Sequence, residues 1–139
     1  MCYFASHQSE EETLARLSKG RALLALDDRG RIVGTVTVSP PGSLGHHCEV
    51  YGRPEVSVFH QFAVAIDSQR RGIGSRLLDE IEVQAREIGA TQLACDTAED
   101  AYHLIALYQK RGMEQVGYAD WDDTNYRSVL LLKSLGSAG

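Results

Sequence analysis

The chain of 139 residues suits one domain, and its composition, 43% hydrophobic and 24% charged, is that of an ordinary globular protein. No apolar run approaches the roughly 20 residues of a membrane span, and residues 1–8 lack the basic start and apolar core of a secretory leader. The formal net charge of −5 argues against a nucleic-acid partner, which would favour a basic face. We therefore expect a cytoplasmic protein without membrane contact, with one domain over residues 1–135 and a disordered tail at 136–139.

The first part of the chain predicts a short helix, a hairpin and a long loop. Residues 9–19 have a helical apolar spacing after Ser9, which can cap the helix. Residues 22–26 and 31–38 read as strands, joined by a turn that ends in Gly30. Residues 39–55 hold all three prolines and predict an irregular loop.

The second part alternates strands and helices. Residues 56–66 form a near-continuous apolar run, which is typical of a central strand covered on both faces. The remaining predicted elements are a helix at 73–88, a strand at 91–95, a helix at 100–111, and strands at 114–119 and 126–132. This order predicts a mixed α/β sheet with helices packed on its faces.

One segment, between the strand at 56–66 and the helix at 73–88, carries a chemical signal. It reads Gln69-x-x-Gly72-x-Gly74. Both glycines let a ligand approach the backbone, and the helix that follows has unpaired N–H groups and a partial positive charge at its N-terminus. Arg70 and Arg71 add positive charge. The segment therefore predicts a phosphate or pyrophosphate site. Leu77 stands where a Rossmann fingerprint needs a small residue, and no Gly-Lys-Ser/Thr of a P-loop follows.

This segment resembles the Gln/Arg-x-x-Gly-x-Gly/Ala signature of the GNAT superfamily of N-acetyltransferases. A second segment, residues 107–113, is similar to the family's Leu-Tyr-x-Lys-x-Gly-Phe sequence, and the likeness extends over about residues 22–135. The resemblance implies a central, mostly antiparallel twisted sheet flanked by helices, here with a shortened N-terminal region. It also implies acetyl-CoA as donor and direct transfer of an acetyl group to a primary amine of a small molecule.

The resemblance assigns roles to individual residues. Tyr108 matches the general acid that protonates the CoA sulfur. His60 is the first candidate for the general base and Glu55 the second, although a histidine on such a strand is more often structural. The backbone of the strand is expected to bind the pantetheine arm and the following loop the pyrophosphate; together these cofactor-binding residues are Phe62, Ala63, Val64, Gln69, Arg70, Arg71, Gly72, Ile73, Gly74 and Ser75.

Some features depart from the family pattern and leave alternatives open. Ala101 stands where the family often has Asn, Met113 where it has Phe, and Ile66 where Pro is common. The short N-terminal region implies an open acceptor site, or one completed by a second subunit in a homodimer. The acidic residues at 120–123 could attract a cationic amine and, with an open site, would suit an aminoglycoside as an alternative acceptor. A peptide N-terminus is another alternative acceptor. A non-catalytic acyl-CoA-binding module is the alternative of another class.

No metal is expected. Cys2, Cys48 and Cys95 are far apart and form no CxxC pair, and His46, His47 and Cys48 lack further spaced ligands. Cys95 has no evident activating base and is read as a small buried residue.

Overall fold

The computed structural model describes residues 3–5, 20–45, 48–69, 72–120 and 127–136. The predicted helix at 9–19, the His46–His47 pair, the acidic turn after residue 120 and the last three residues lie outside the described residues. Within the described ranges, no helix is long and apolar enough to cross a membrane.

A seven-stranded mixed sheet forms the centre of the protein. Its strands lie in the order β1-β2-β3-β4-β5-β7-β6, and every neighbouring pair is antiparallel except β4 and β5, which are parallel. The predicted fold class is therefore confirmed. The strands are β1 Tyr3–Ala5, β2 Arg21–Leu26, β3 Ile32–Val38, β4 Val56–Val64, β5 Gln92–Ala98, β6 Glu114–Asp120 and β7 Arg127–Ser134.

The hairpin between β2 and β3 forms at the predicted turn. The Asp27 carboxylate accepts hydrogen bonds from the backbone N–H groups of Arg29 and Arg31, each at 2.9 Å. Gly30 has φ 78°, which a residue without a Cβ adopts at little cost. These hydrogen bonds all lie within the turn itself.

Within the part of the chain that the structure describes, two helices cover one face of the sheet: α1, Ile73–Glu87, and α2, Tyr102–Lys110. The predicted apolar stripe of α1 is buried in the core, through Ile73, Leu77, Leu78, Ile81 and Ala85. Gly34 on β3 permits the close approach of α1, because a Cβ there would lie 2.7 Å from Leu77 Cδ1. The second face of the sheet is covered by the segment between β3 and β4, whose 3₁₀ turn Val50–Gly52 buries Tyr51.

The prediction for β4 was wrong in its second half. Val56–Phe59 are buried, but His60, Gln61 and Ala63 are exposed. The reason is that β4 pairs with β5 only over Val56–Val58. By contrast, β5 continues past the predicted end at Cys95 to Ala98, because β7 pairs with it along its whole length.

Candidate active site

The two parallel strands at the centre of the sheet diverge, and this divergence creates the site. Beyond Val58, β4 pairs only with β3 among the described strands, while β5 beyond Ala94 pairs only with β7. The β5-facing backbone of β4 is therefore an open strand edge inside the sheet. Such an edge can hydrogen-bond an extended ligand as a further strand would.

A bulge in β4 sets the directions of its side chains. The β3–β4 register shifts between Thr35 and Thr37, and Gln61 opposite has φ 56°, a conformation that costs a non-glycine residue about 1–2 kcal/mol. The Thr35 hydroxyl donates to the Gln61 carbonyl (3.0 Å), and the Thr37 hydroxyl donates to the Gln61 side-chain Oε1 (3.2 Å). As a result Phe59 and Phe62, three residues apart, both pack on the helix side, which a regular strand would not allow.

A cleft of about 440 Å³ lies between β4 and the first turns of α1 and α2; we call it the helix cleft. Eight of the ten predicted cofactor-binding residues line it. Arg70 and Arg71 lie outside the described residues. The lining consists of Phe62, Ala63, Val64, Ser68, Gln69, Gly72, Ile73, Gly74, Ser75, His103, Leu104 and Leu107. His103, Leu104 and Leu107 were not predicted, because their contribution depends on how α2 packs.

The N-terminus of α1 has the geometry of an anion site. Gly72 caps the helix with φ 78° and without a side-chain hydrogen bond, and the first turn carries no acidic residue. The N–H groups of this turn therefore have no partner within the helix and carry the positive end of its dipole. A Cβ at Gly74 would lie 3.2 Å from the Phe62 ring and 3.6 Å from Val64 Cγ2, so a side chain there would fill the cleft.

Gln69 lines the helix cleft and also makes a hydrogen bond within the protein. Its side-chain Nε2 donates a 3.1 Å hydrogen bond to the Val64 carbonyl. This bond joins the end of β4 to the turn that enters α1, so it fixes the strand edge and the helix N-terminus relative to each other. The signature glutamine is thus a positioning residue in this structure.

Tyr108 lies on α2 between the two aromatic residues of β4. It is 4% exposed, with ring centroids 5.4 Å from Phe59 in an edge arrangement and 6.2 Å from Phe62. Burial, with smaller effects from Cys95 and Asp96, raises the pKa of the Tyr108 hydroxyl well above its usual value. The hydroxyl therefore carries its proton at neutral pH, as a proton donor must.

A second cleft of about 300 Å³ opens where β4 and β5 diverge; we call it the strand cleft. It shares Phe62 and Leu104 with the helix cleft, so the two are contiguous. Glu55, the second candidate base, does not line it. The residues that line the strand cleft are Phe59, His60, Gln61, Phe62, Cys95, Asp96, Thr97, Leu104 and Tyr108. The structure thus brings His60 and Tyr108 to one cleft.

Sequence reasoning missed Asp96, which lines this cleft, and Tyr51, which contacts Asp96 from outside the lining. Tyr51 is 3% exposed, and its hydroxyl donates a hydrogen bond to Asp96 Oδ1. Burial, then the charge of Asp96, raises the pKa of Tyr51, so it remains a donor. Asp96 would have been found had the strand at 91–95 been extended, but nothing in the sequence around Tyr51 distinguishes it.

Two further expectations concern Cys95 and a metal site. Cys95 is 1% exposed, its Sγ lies 3.8 Å from Met113 Sδ, and burial raises the pKa of its thiol. It is therefore an unreactive core residue. In the ranges that the structure describes, no group of three or more His, Cys, Asp or Glu side chains could hold a metal ion.

Comparison with known proteins agrees with this geometry. The model of the acetyltransferase (GNAT) family matches residues 1–113. This chain belongs to the GNAT family. The expected family is thereby confirmed, and the members of this family are acetyltransferases. The structural comparison below confirms the expected fold.

Individual relatives are distant. An S-(2-succino)cysteine N-acetyltransferase of Bacillus subtilis (strain 168) is 26% identical over 119 residues, covering 84% of this chain and 69% of that protein. The uncharacterised protein YdhI of the same organism is 26% identical over 119 residues, covering 81% of this chain and 64% of its own length, just under two thirds. A GNAT family acetyltransferase from Elizabethkingia anophelis, solved with acetyl-CoA bound, superposes with a TM-score of 0.71 at 19% identity, covering 96% of this chain and 97% of that one. At 19% identity, the similarity to this structure shows the fold alone.

Proposed function

We propose that this GNAT protein is an acetyl-CoA-dependent N-acetyltransferase that moves an acetyl group directly onto a primary amine of a small molecule. One observation carries the proposal. The open edge of β4 leads from the N-terminus of α1 to the strand cleft, where the protonated hydroxyl of Tyr108 is buried. A long donor with an anionic centre and a reactive end fits that path.

The donor lies along β4 in this proposal. Its pyrophosphate binds the N–H groups of Ile73, Gly74 and Ser75 at the start of α1, where the helix dipole favours negative charge. Its pantetheine arm bonds the backbone of Phe62 and Val64 in the helix cleft. The thioester then reaches the junction of the two clefts at Phe62.

The chain's own groups suffice for the proton transfers. The amine nitrogen attacks the thioester carbonyl carbon, the C–N bond forms, and the C–S bond breaks. Tyr108 donates its proton to the departing sulfur, and the proton lost by the nitrogen passes to His60, which is exposed in the strand cleft. The protein also orients the two reactants, since both are bound at the gap between β4 and β5.

A small amine is the acceptor class favoured here. The Bacillus relative is named for the N-acetylation of a cysteine derivative, which is a small amine. The strand cleft, at about 300 Å³, also has the size of a small-molecule site. An aminoglycoside or a peptide N-terminus remains the alternative acceptor. The buried Tyr108 in the strand cleft argues against a module that only binds acyl-CoA.

The test is release of free CoA thiol from acetyl-CoA in the presence of amino acids, polyamines, aminoglycosides and short peptides. Release above the hydrolysis background with one class establishes the activity and its acceptor. Thermal stabilisation by CoA without release from any acceptor would support the non-catalytic module instead. Absence of both would refute the proposal.

A further inference from the structure

Among the described residues that line the strand cleft, Asp96 supplies a carboxylate that the proposed chemistry does not use. It lies on β5 directly after the buried Cys95, and its side chain is exposed. Its position relative to the two faces of the sheet indicates what it could bind.

Side chains along both diverging strands alternate between the two faces of the sheet. Phe59 and Cys95 belong to the core on the helix side, whereas Val58 and Ala94 belong to the smaller core with Tyr51 on the opposite side. Asp96 follows Cys95, so it points to the Tyr51 side, as its hydrogen bond with Tyr51 shows. The helix cleft, by contrast, opens on the helix side. Asp96 therefore faces the gap from the side opposite to the proposed donor.

Tyr51 fixes the carboxylate in place. The tyrosine is packed among Val56, Val58 and Leu130, so its hydroxyl has little freedom to move. A carboxylate that accepts one hydrogen bond can accept others on both oxygens. Asp96 is thus a charged acceptor that is oriented by the fold and accessible from the cleft.

We propose that Asp96, positioned by Tyr51, binds the amino group of a cationic primary amine that enters the strand cleft from the face opposite to the donor. This inference rests on the proposed function and narrows it. Acceptors that enter as ammonium ions are favoured over neutral isosteres without an N–H group. Such an amine releases one proton to solvent before its nitrogen attacks, and the second proton passes to His60 as in the proposed function. Asp96 is the acceptor-binding residue, while Tyr51 acts through it.

A pair of donor-tethered probes tests this without knowledge of the natural acceptor. S-(2-aminoethyl)-CoA carries an ammonium two carbons from the sulfur, and S-propyl-CoA replaces it with a methyl group of similar size. Calorimetric titration of the whole protein should give tighter binding of the aminoethyl probe by about tenfold or more, as for a hydrogen bond to a charged group.

Variants identify the carboxylate responsible. Asp96→Asn should abolish this preference while leaving the affinity for S-propyl-CoA unchanged, which also shows that the variant is folded. Glu99→Gln is the matched control, because it removes an equal charge nearby whose carboxylate is instead paired with Arg127 at 2.9 Å. It should retain the preference.

Tyr51→Phe tests the positioning role. It should weaken the preference, and adding it to Asp96→Asn should change nothing further, because its effect passes through Asp96. Equal binding of both probes to the wild type, or a preference that survives Asp96→Asn, would overturn the inference. If neither probe binds, the proposed donor site is wrong and this inference falls with it; that outcome differs from binding without preference.

Discussion

A bulky side chain at Gly72 should separate backbone strain from loss of the donor site, because the chain offers a matched control. Gly72 and Gly30 both have φ 78°, and a Cβ at either position meets no heavy atom within 4 Å. Leucine at either site therefore pays the same penalty for a left-handed conformation, about 1–2 kcal/mol. For a chain of this length that corresponds to a decrease in Tm of about 3–8 °C.

Of these two glycines, only Gly72 lines the helix cleft, at the start of α1. A leucine there should block close approach of the pyrophosphate to the helix N–H groups. Loss of two charge-assisted hydrogen bonds, at ~1.5 kcal/mol each, raises the Kd for CoA by about a hundredfold. Gly30→Leu, in the β2–β3 turn, should leave the Kd unchanged.

The assay is calorimetric titration with CoA, together with thermal unfolding of both variants. The account requires similar decreases in Tm and a large difference in Kd. Unchanged CoA affinity in Gly72→Leu would refute the anion site, and an equal loss in both variants would show that strain alone accounts for the effect.

Three further substitutions have defined outcomes. Tyr108→Phe should lower kcat by about 10²-fold with little change in CoA affinity, since only the donated proton is removed; an unchanged kcat would exclude Tyr108 from the reaction. His60→Ala should lower kcat/KM and remove its rise with pH on the acidic side, because a general base acts when deprotonated; an unshifted pH–rate profile would exclude His60. Gly34→Ala should reduce the free energy of unfolding by about 1–3 kcal/mol, measured with denaturant, because Leu77 Cδ1 would lie 2.7 Å from the new Cβ and is fully buried; unchanged stability would contradict the tight packing of α1 on β3.

The sequence predicted those parts of the structure that depend on neighbouring residues. Helix α1 begins at Ile73 as expected, because its apolar spacing and Gly72 directly before it are local signals. The hairpin turn at Gly30 has the same local origin.

What the sequence did not predict depends on distant pairing. The exposure of His60 follows from β4 separating from β5, a strand that begins 32 residues later, at Gln92. The bond between Tyr51 and Asp96 joins residues 45 positions apart, one in the irregular segment before β4 and the other on β5. No periodicity within one segment reports such contacts, so the acceptor side of the site could be seen only in the structure.

The most direct test of the donor site is a ¹⁵N–¹H correlation spectrum of the protein titrated with acetyl-CoA. The account predicts shifts concentrated at the amides of Phe62, Ala63 and Val64 on β4 and of Ile73, Gly74 and Ser75 at the start of α1. Gly30, in the distant hairpin turn, should not shift. Shifts confined to other surfaces, or none at saturating acetyl-CoA, would contradict the proposal that this protein holds an acyl donor between β4 and α1.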